Sequence, residues 1–292
     1  MTEQSGSLVW LITGTSKGFG SHLTKIVLSR GDRVIASARS LDAIKHLESD
    51  RCRVMQLDIT DDEEVIRAKA KEATQIWGRV DVLVNNAGIG AAGIAEEAGA
   101  SGFSKIFQVN FFSAITVTNA FLPYMRAAKS GIVVFMGSRH AWMTRNPLAA
   151  PYNASKAALH AYAETLQQEI RQFGIRILIA QPGAHRTDVI PTSLSNVIVQ
   201  KTIPAYEPLR LAGKEVYAKM HGKQPGDPEK AMVALVDVVR GEGQAQGRPM
   251  PLWLVLGEDA EQNLRDFCAE RIKNLDEWQE TTRSCTIPAD AT

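Results

Sequence analysis

Short runs rich in β-branched residues alternate with longer stretches of helical periodicity along most of this 292-residue chain, and that alternation narrows the fold before any motif is considered. Leu8–Ile12, Arg33–Ser37, Arg53–Leu57, Val80–Val84, Ile132–Met136 and Ile175–Ala180 read as strands, with Leu252–Leu256 as a seventh. Several are apolar almost throughout, as strands are when helices cover both faces of a parallel sheet. Between them the pattern predicts helices near 18–30, 41–48, 61–76, 102–127, 152–173, 228–240 and 259–282. Thr60-Asp61-Asp62-Glu63 and Asp227-Pro228-Glu229 place caps and early acidic residues where two of them begin. The order predicts an α/β fold, a doubly wound seven-stranded parallel sheet flanked by helices. No composition break, repeat or low-complexity tract divides the chain, so a single domain over 1–292 is expected, its core at 7–257.

Two segments depart from the alternation. In 184–226, Pro191, Pro204, Pro208 and Pro225 break short helical pieces, and such a stretch after a late strand suits a lid over the carboxyl ends of the strands. Residues 241–250 read as a flexible loop. Beyond them and the seventh strand, a helical tail over 258–292 can cover a pocket or modify an oligomer contact, and the sequence does not choose.

Charge excludes some partners. The 33 basic and 32 acidic side chains leave a net charge of +1, which gives no general field for nucleic acid or an anionic membrane. Hydrophobic residues at 45% support a sizeable core. Cys52, Cys268 and Cys285 are far apart, so neither a metal site nor a disulfide framework is expected. Met1–Ser7 are polar, and no apolar run approaches the roughly 18 residues that span a bilayer. A cytoplasmic protein is expected.

Directly after the first strand comes Thr13-Gly14-Thr15-Ser16-Lys17-Gly18-Phe19-Gly20, followed by a helical pattern. Gly14 permits a sharp turn, and Gly18 and Gly20 permit close approach of backbone, pyrophosphate and sheet. The helix that starts there offers unpaired N–H groups and a positive dipole end to phosphates. An NAD site usually has a carboxylate at the end of the second strand, bonded to the ribose 2′-hydroxyl. Here that place reads Ala36-Ser37-Ala38-Arg39-Ser40, with Lys17 in the glycine turn as a second cation. A missing acid and a planar guanidinium favour NADP(H), whose 2′-phosphate Arg39 can clamp.

Tyr152 and Lys156 are four residues apart at the start of a helical segment and share a face. A phenol with a pKa near 10 is a poor base at neutral pH, and a neighbouring ammonium lowers that pKa and makes proton exchange with an alcohol feasible. Ser138, at the end of the fifth strand, stands where its hydroxyl can bond a substrate oxygen.

These motifs resemble those of the short-chain dehydrogenase/reductase family, whose domain is of the Rossmann type. The glycine turn is T-G-x-x-x-G-x-G, Asn85-Asn86-Ala87-Gly88 matches N-N-A-G, and Tyr152–Lys156 matches Y-x-x-x-K. Pro182-Gly183 with Thr187 matches P-G-x-x-x-T, so the likeness covers roughly 8–187 with its motifs in order. The resemblance implies that Tyr152 is the general acid or base, that Lys156 binds the nicotinamide ribose, and that Ser138 orients the carbonyl. It implies that Asn110 holds a water linking Lys156 to solvent, that Asp58 bonds the adenine amine, and that Asn86, Ala87 and Gly88 border the adenosine ribose. Thr187 and the backbone near His185 would hold the carboxamide. The cofactor site so implied also takes in Thr15, Ser16, Phe19, Ser40, Ile59, Pro182 and Gly183. A homodimer or homotetramer is the family's habit.

Three features depart from the family pattern. One extra residue lies between Ser138 and Tyr152, His185 stands where a small or aliphatic residue is usual, and the tail exceeds the minimal core. His140, Trp142 and Met143 are placed at the pocket mouth, with core packing as the competing reading for Trp142. Pocket shape falls to 89–97, 139–150 and 184–226, and the small apolar Ile89–Ala95 suggests a hydrophobic ketone or secondary alcohol. The function expected is an NADP(H)-dependent oxidoreductase acting on a small carbonyl/alcohol pair. The alternatives are a non-catalytic NADP(H)-binding regulator, or an epimerase, enoyl reductase or lyase on the same fold.

Overall fold

A computed structural model describes residues 6–188, 193 and 195–287. Seven parallel strands form one sheet: β1 (Val9–Thr13), β2 (Arg33–Ala38), β3 (Cys52–Gln56), β4 (Val82–Asn85), β5 (Gly131–Met136), β6 (Ile175–Pro182) and β7 (Trp253–Leu256), in the order β3-β2-β1-β4-β5-β6-β7. The architecture is the Rossmann-type doubly wound sheet. Its helices are α1 (Gly18–Ser29), α2 (Glu63–Trp77), α3 (Ala95–Phe107), α4 (Ser113–Ala128), α5 (Ala150–Ile170), α6 (Glu207–Met220), α7 (Pro228–Arg240), α8 (Glu258–Glu277) and α9 (Gln279–Ser284).

Alternation along each strand builds two cores. Val9 and Leu11 of β1 join one face with Ile66 and Ala70 of α2, Phe121 of α4 and Leu159 of α5. Trp10 and Ile12 join the other with Leu23 of α1 and Met232 and Leu235 of α7. Successive side chains of a strand point to opposite faces, so an all-apolar strand is buried on both.

Several boundaries differ from the sequence reading, each for a physical reason. The helix expected over 41–48 is two single 3₁₀ turns, Leu41–Ala43 and Lys45–Leu47. Only Ile44 is buried there, so no apolar face pays for a longer helix. The helix expected over 102–127 starts earlier, at Ala95, passes through Gly99 at φ 55° and a π turn at Gln108–Phe112, and continues as α4. The whole run Ala95–Ala128 is long and apolar enough by length and composition to cross a membrane, contrary to the reading that no such run exists. Val117, Phe121 and Met125 of it are buried in the core. Within 184–226, Pro204 and Pro208 do not break helices. They occupy the first turns of a 3₁₀ turn and of α6, where a missing N–H costs nothing. Pro191 lies outside the described residues.

The amino edge of the sheet is fastened by one carboxylate. Asp32, fully buried, accepts from Leu8 N at 2.9 Å, Trp10 Nε1 at 2.9 Å and Arg240 Nη1 at 2.6 Å. It thereby joins β1, the start of β2 and the end of α7. Removing one member of a buried pair costs about 3–5 kcal/mol, so Asp32→Ala should lower unfolding free energy by that order in urea titrations.

Candidate active site

The strand order reverses direction between β1 and β4, so the helices that follow them leave on opposite faces and a crevice opens at their carboxyl ends. A cavity of about 740 Å³ occupies it. On one side lie Gly14, Ser16, Lys17, Gly18 and Phe19, with Arg39, Asp58, Ile59 and Asn86 to Gly88 around them. Beyond are Ser138, Tyr152, Lys156, Pro182, Gly183, His185 and Thr187, so most of the residues singled out from sequence converge here.

The glycine turn is shaped by close contact. Gly14 has φ 72°, and a Cβ there would stand 2.9 Å from Ala87 Cα. A Cβ on Gly20 would come within 2.3 Å of Gly14 O, so only glycine lets α1 approach the turn. Asn86 Nδ2 donates to Thr13 O at 2.7 Å and Gly14 O at 3.1 Å, tying the turn after β4 to the turn after β1. At Gly18, which lines the cavity, an added Cβ would meet nothing within 4 Å. An open cradle of backbone at a helix start, with Lys17 and Arg39 beside it, fits a phosphate-bearing dinucleotide.

Four of the expected residues do not line the cavity. Thr15 is buried and donates from N and Oγ to Ser37 O at 3.0 and 3.2 Å, so it fastens the turn from behind. Gly20 serves by packing, as above. Ser40 is exposed at the start of the first 3₁₀ turn. Asn110, in the π turn, accepts from Ile89 N at 2.8 Å and donates to Ile89 O at 3.0 Å and Ser155 Oγ at 3.2 Å. Its amide clamps the turn after Gly88 to α5.

The polar centre is drier than the sequence suggests. Tyr152 and Ser138 share one side of the cavity, and Lys156 Nζ lies 5.9 Å from the phenol ring centre while donating to Met136 O at 2.7 Å. Burial pushes the Tyr152 phenol above its usual range, opposed by the neighbouring Ser138 hydroxyl and aided by nearby Tyr217. The phenol expected to be made acidic by Lys156 is thus shifted the other way, with desolvation the largest cause, while Lys156 Nζ is engaged by Met136 O. Burial also pulls Lys156 down to about 8, so it is a cation only below that pH.

Sequence reading placed His140 at the pocket mouth but missed His160 and Gln181 behind this centre. His160 is on the face of Lys156, four residues on, and its Nε2 accepts from Ser138 N at 3.3 Å. Its Nδ1 must then carry the proton and needs an acceptor. Gln181 lies 3.5 Å away, and its amide turned over would offer Oε1 as that acceptor. His140 Nδ1 meets Asn153 Oδ1 at 2.8 Å, and its ring stands edge-on to Tyr152 at 5.5 Å. The spacing of Lys156 and His160 was a readable signal, since buried polar residues recurred on one helix face.

The departures from the family pattern resolve as follows. His185 is buried, donates from Nδ1 to Gly183 O at 3.1 Å and packs edge-on against Phe19 at 5.3 Å, so it braces the turn after β6. His140 lines the cavity; Trp142 is buried beside His160, and neither it nor Met143 reaches the cavity wall. In 184–226, α6 brings Tyr217 and Met220 to the cavity. It is tied to α3 by buried Glu97, which pairs with Arg210 and accepts from Ile203 N at 2.7 Å.

A family model described as short chain dehydrogenase matches residues 8–196. The chain is 31% identical to an oxidoreductase, BOA17, of Botryotinia fuckeliana over 86% of its own length and 89% of the other. Its fold superposes on a short-chain dehydrogenase from Streptomyces avermitilis with a TM-score of 0.83 at 33% identity, covering 97% of this chain and all (100%) of that one. A Burkholderia cenocepacia short-chain dehydrogenase in complex with NADP shares the fold at 20% identity and TM-score 0.69, over 93% and 97% of the two chains. Another of like fold is complexed with NADH.

Linkage gives a stability test of the buried imidazoles. Burial, chiefly, holds His160 and His140 near pKa 4 against an ordinary 6.5. Between those values the unfolded chain binds more protons than the folded one, so stability should fall as pH drops from 6.5 to 4. Urea midpoints across that window should show the loss, and His160→Gln, with no proton to take up, should show less of it.

Proposed function

The chain belongs to the short-chain dehydrogenase/reductase family, and on that footing we propose that it is an NADP(H)-dependent oxidoreductase interconverting a small carbonyl compound and its alcohol, with Tyr152 as general acid and base. The convergence of Tyr152, Ser138 and Lys156 on one side of a cavity whose other side is the glycine turn carries this reading. When bound, the nicotinamide supplies or takes up the hydride at the reacting carbon. The chain's own groups do the rest.

Ser138 and Tyr152 present two hydroxyls to the substrate oxygen. As the carbonyl accepts electrons its oxygen gains negative charge, and donors already aimed at it stabilise that charge without reorganising. Tyr152 then gives its proton to that oxygen. The raised pKa suits this direction, because the phenol holds its proton at neutral pH. The phenolate left behind faces Lys156, whose cation persists below about pH 8. Lys156 would also hold the nicotinamide ribose, Asp58 the adenine, and Thr187 with the backbone of His185 the carboxamide. Arg39, exposed at the cavity's edge where an NAD site would have an acid, would take the 2′-phosphate with Lys17. A cytoplasmic homodimer or homotetramer completes the reading.

NADPH oxidation, followed by loss of the reduced nicotinamide's absorbance, with acetophenone, cyclohexanone, 2-octanone and benzaldehyde tests the activity. Turnover should fall about 10²–10⁴-fold in Tyr152→Phe, the range a general acid contributes. Tight NADPH binding without turnover on any carbonyl would instead favour a sensor, and product without net NADPH consumption an isomerising enzyme. For the cofactor, Arg39→Ala should raise KM for NADPH about 10–100-fold, the worth of a charge-assisted hydrogen bond, and leave that for NADH little changed. Equal effects on both nucleotides would remove Arg39 from the 2′-phosphate.

A further inference from the structure

The tail beyond the sheet begins at the site itself. α8 leaves β7 through Gly257, and its second residue, Asp259, reaches back to two loops at the crevice. Asp259 Oδ2 accepts from Ala184 N at 2.8 Å and pairs with the Arg139 guanidinium. Asn263, one helical turn on, accepts from the same Arg139 Nη1 at 3.2 Å. Arg139 follows Ser138 directly in the chain, and its side chain is only 11% exposed. The other carboxylate oxygen, Oδ1, is buried without a hydrogen-bond partner and presses on Gly183, where a Cβ would stand 2.0 Å away. One carboxylate therefore joins the loop after β5, the turn after β6 and the first turn of α8.

Such a joint gives the residue that follows Ser138 an anchor outside its own loop. The loop between β5 and α5 has the single 3₁₀ turn Arg139–Ala141 as its only regular element. Arg139 lines the cavity and Asp259 is 22% exposed, yet parting them would leave a largely enclosed guanidinium without its counter-charge. Asp259 does not itself line the cavity. Its influence on chemistry has to pass through the residues it holds.

We propose that Asp259, through Arg139, is a positioning residue for Ser138, so that the first turn of the C-terminal helix belongs to the active site. This rests on the role given to Ser138 above. The turn after β6 and the catalytic serine are then held at a fixed separation by a group outside both.

The test is a double-mutant cycle on kcat with NADPH and the ketone turned over fastest in the panel above. Asp259→Asn keeps an acceptor for the Ala184 N–H while stripping Arg139 of its counter-charge. It should lower kcat about 10–100-fold, the scale of a misplacement near 1 Å. KM for the ketone and the NADPH dissociation constant, read by fluorescence titration, should move little. In a Ser138→Ala background the same change should cost nothing further, because its target is gone. Neutralising both partners, Asp259→Asn with Arg139→Gln, should recover part of the loss. Losses that multiply in the Ser138→Ala background, or full kcat in Asp259→Asn, would overturn the proposal. If Asp259→Asn does not fold, judged by its thermal melt, Arg139→Lys runs the same cycle with the same expected and overturning results. Undiminished turnover in Ser138→Ala would sink the role of that serine and this inference together, whereas multiplying losses sink this inference alone.

Discussion

A parallel sheet can wind outward in both directions only if the helices after two adjacent strands depart on opposite faces, and everything at this site depends on that constraint. In this chain the divergence falls between β1 and β4. The gap it leaves cannot be closed by helix packing, and its walls are the turns that follow the strands. Gly14 and Asn86 meet across it, and the contact is so close that a side chain at position 14 would run into Ala87. The dinucleotide cradle and the joint between the two halves of the sheet are thus one set of atoms.

Burial sets the chemistry on the far side of that joint. Tyr152 and Lys156 are both shifted toward their neutral forms by the loss of water, the phenol upward and the amine to about 8. A low dielectric penalises charge, and it also strengthens each hydrogen bond that remains. The chain responds by satisfying the backbone as well as the side chains there. His160 accepts from Ser138 N, Lys156 donates to Met136 O, and Asn110 holds both polar groups of Ile89. Ser138 and Tyr152 consequently stand on a frame in which these backbone donors and acceptors are occupied.

Much of the fold was legible in the sequence because parallel strands buried on both faces need apolar residues at every position. β1, β5 and β6 announced themselves in this way. The stretch at 41–48 misled for the opposite reason: its composition permits a helix, but Ile44 alone is buried, and a helix needs a face to pack. The early start of α3 was hidden by Gly99, which breaks the helical pattern while the backbone continues past it at positive φ. The prolines of the segment before β7 read as breakers when two of them begin helical turns, since proline gives the same local signal at either place.

The sequence by itself determined the kind of sheet, the place of the crevice, and the set Ser138, Tyr152 and Lys156 beside the glycine turn. These follow from local rules, namely strand periodicity, helix-face spacing and the steric freedom of glycine. Only the tertiary structure decided what those groups experience. The direction of the Tyr152 shift, the brace of His185 on Phe19, and the reach of Asp259 to Arg139 across 120 residues depend on which distant segments exclude water and supply partners. Desolvation and pairing are properties of a packed neighbourhood, and no stretch of chain carries its neighbourhood with it.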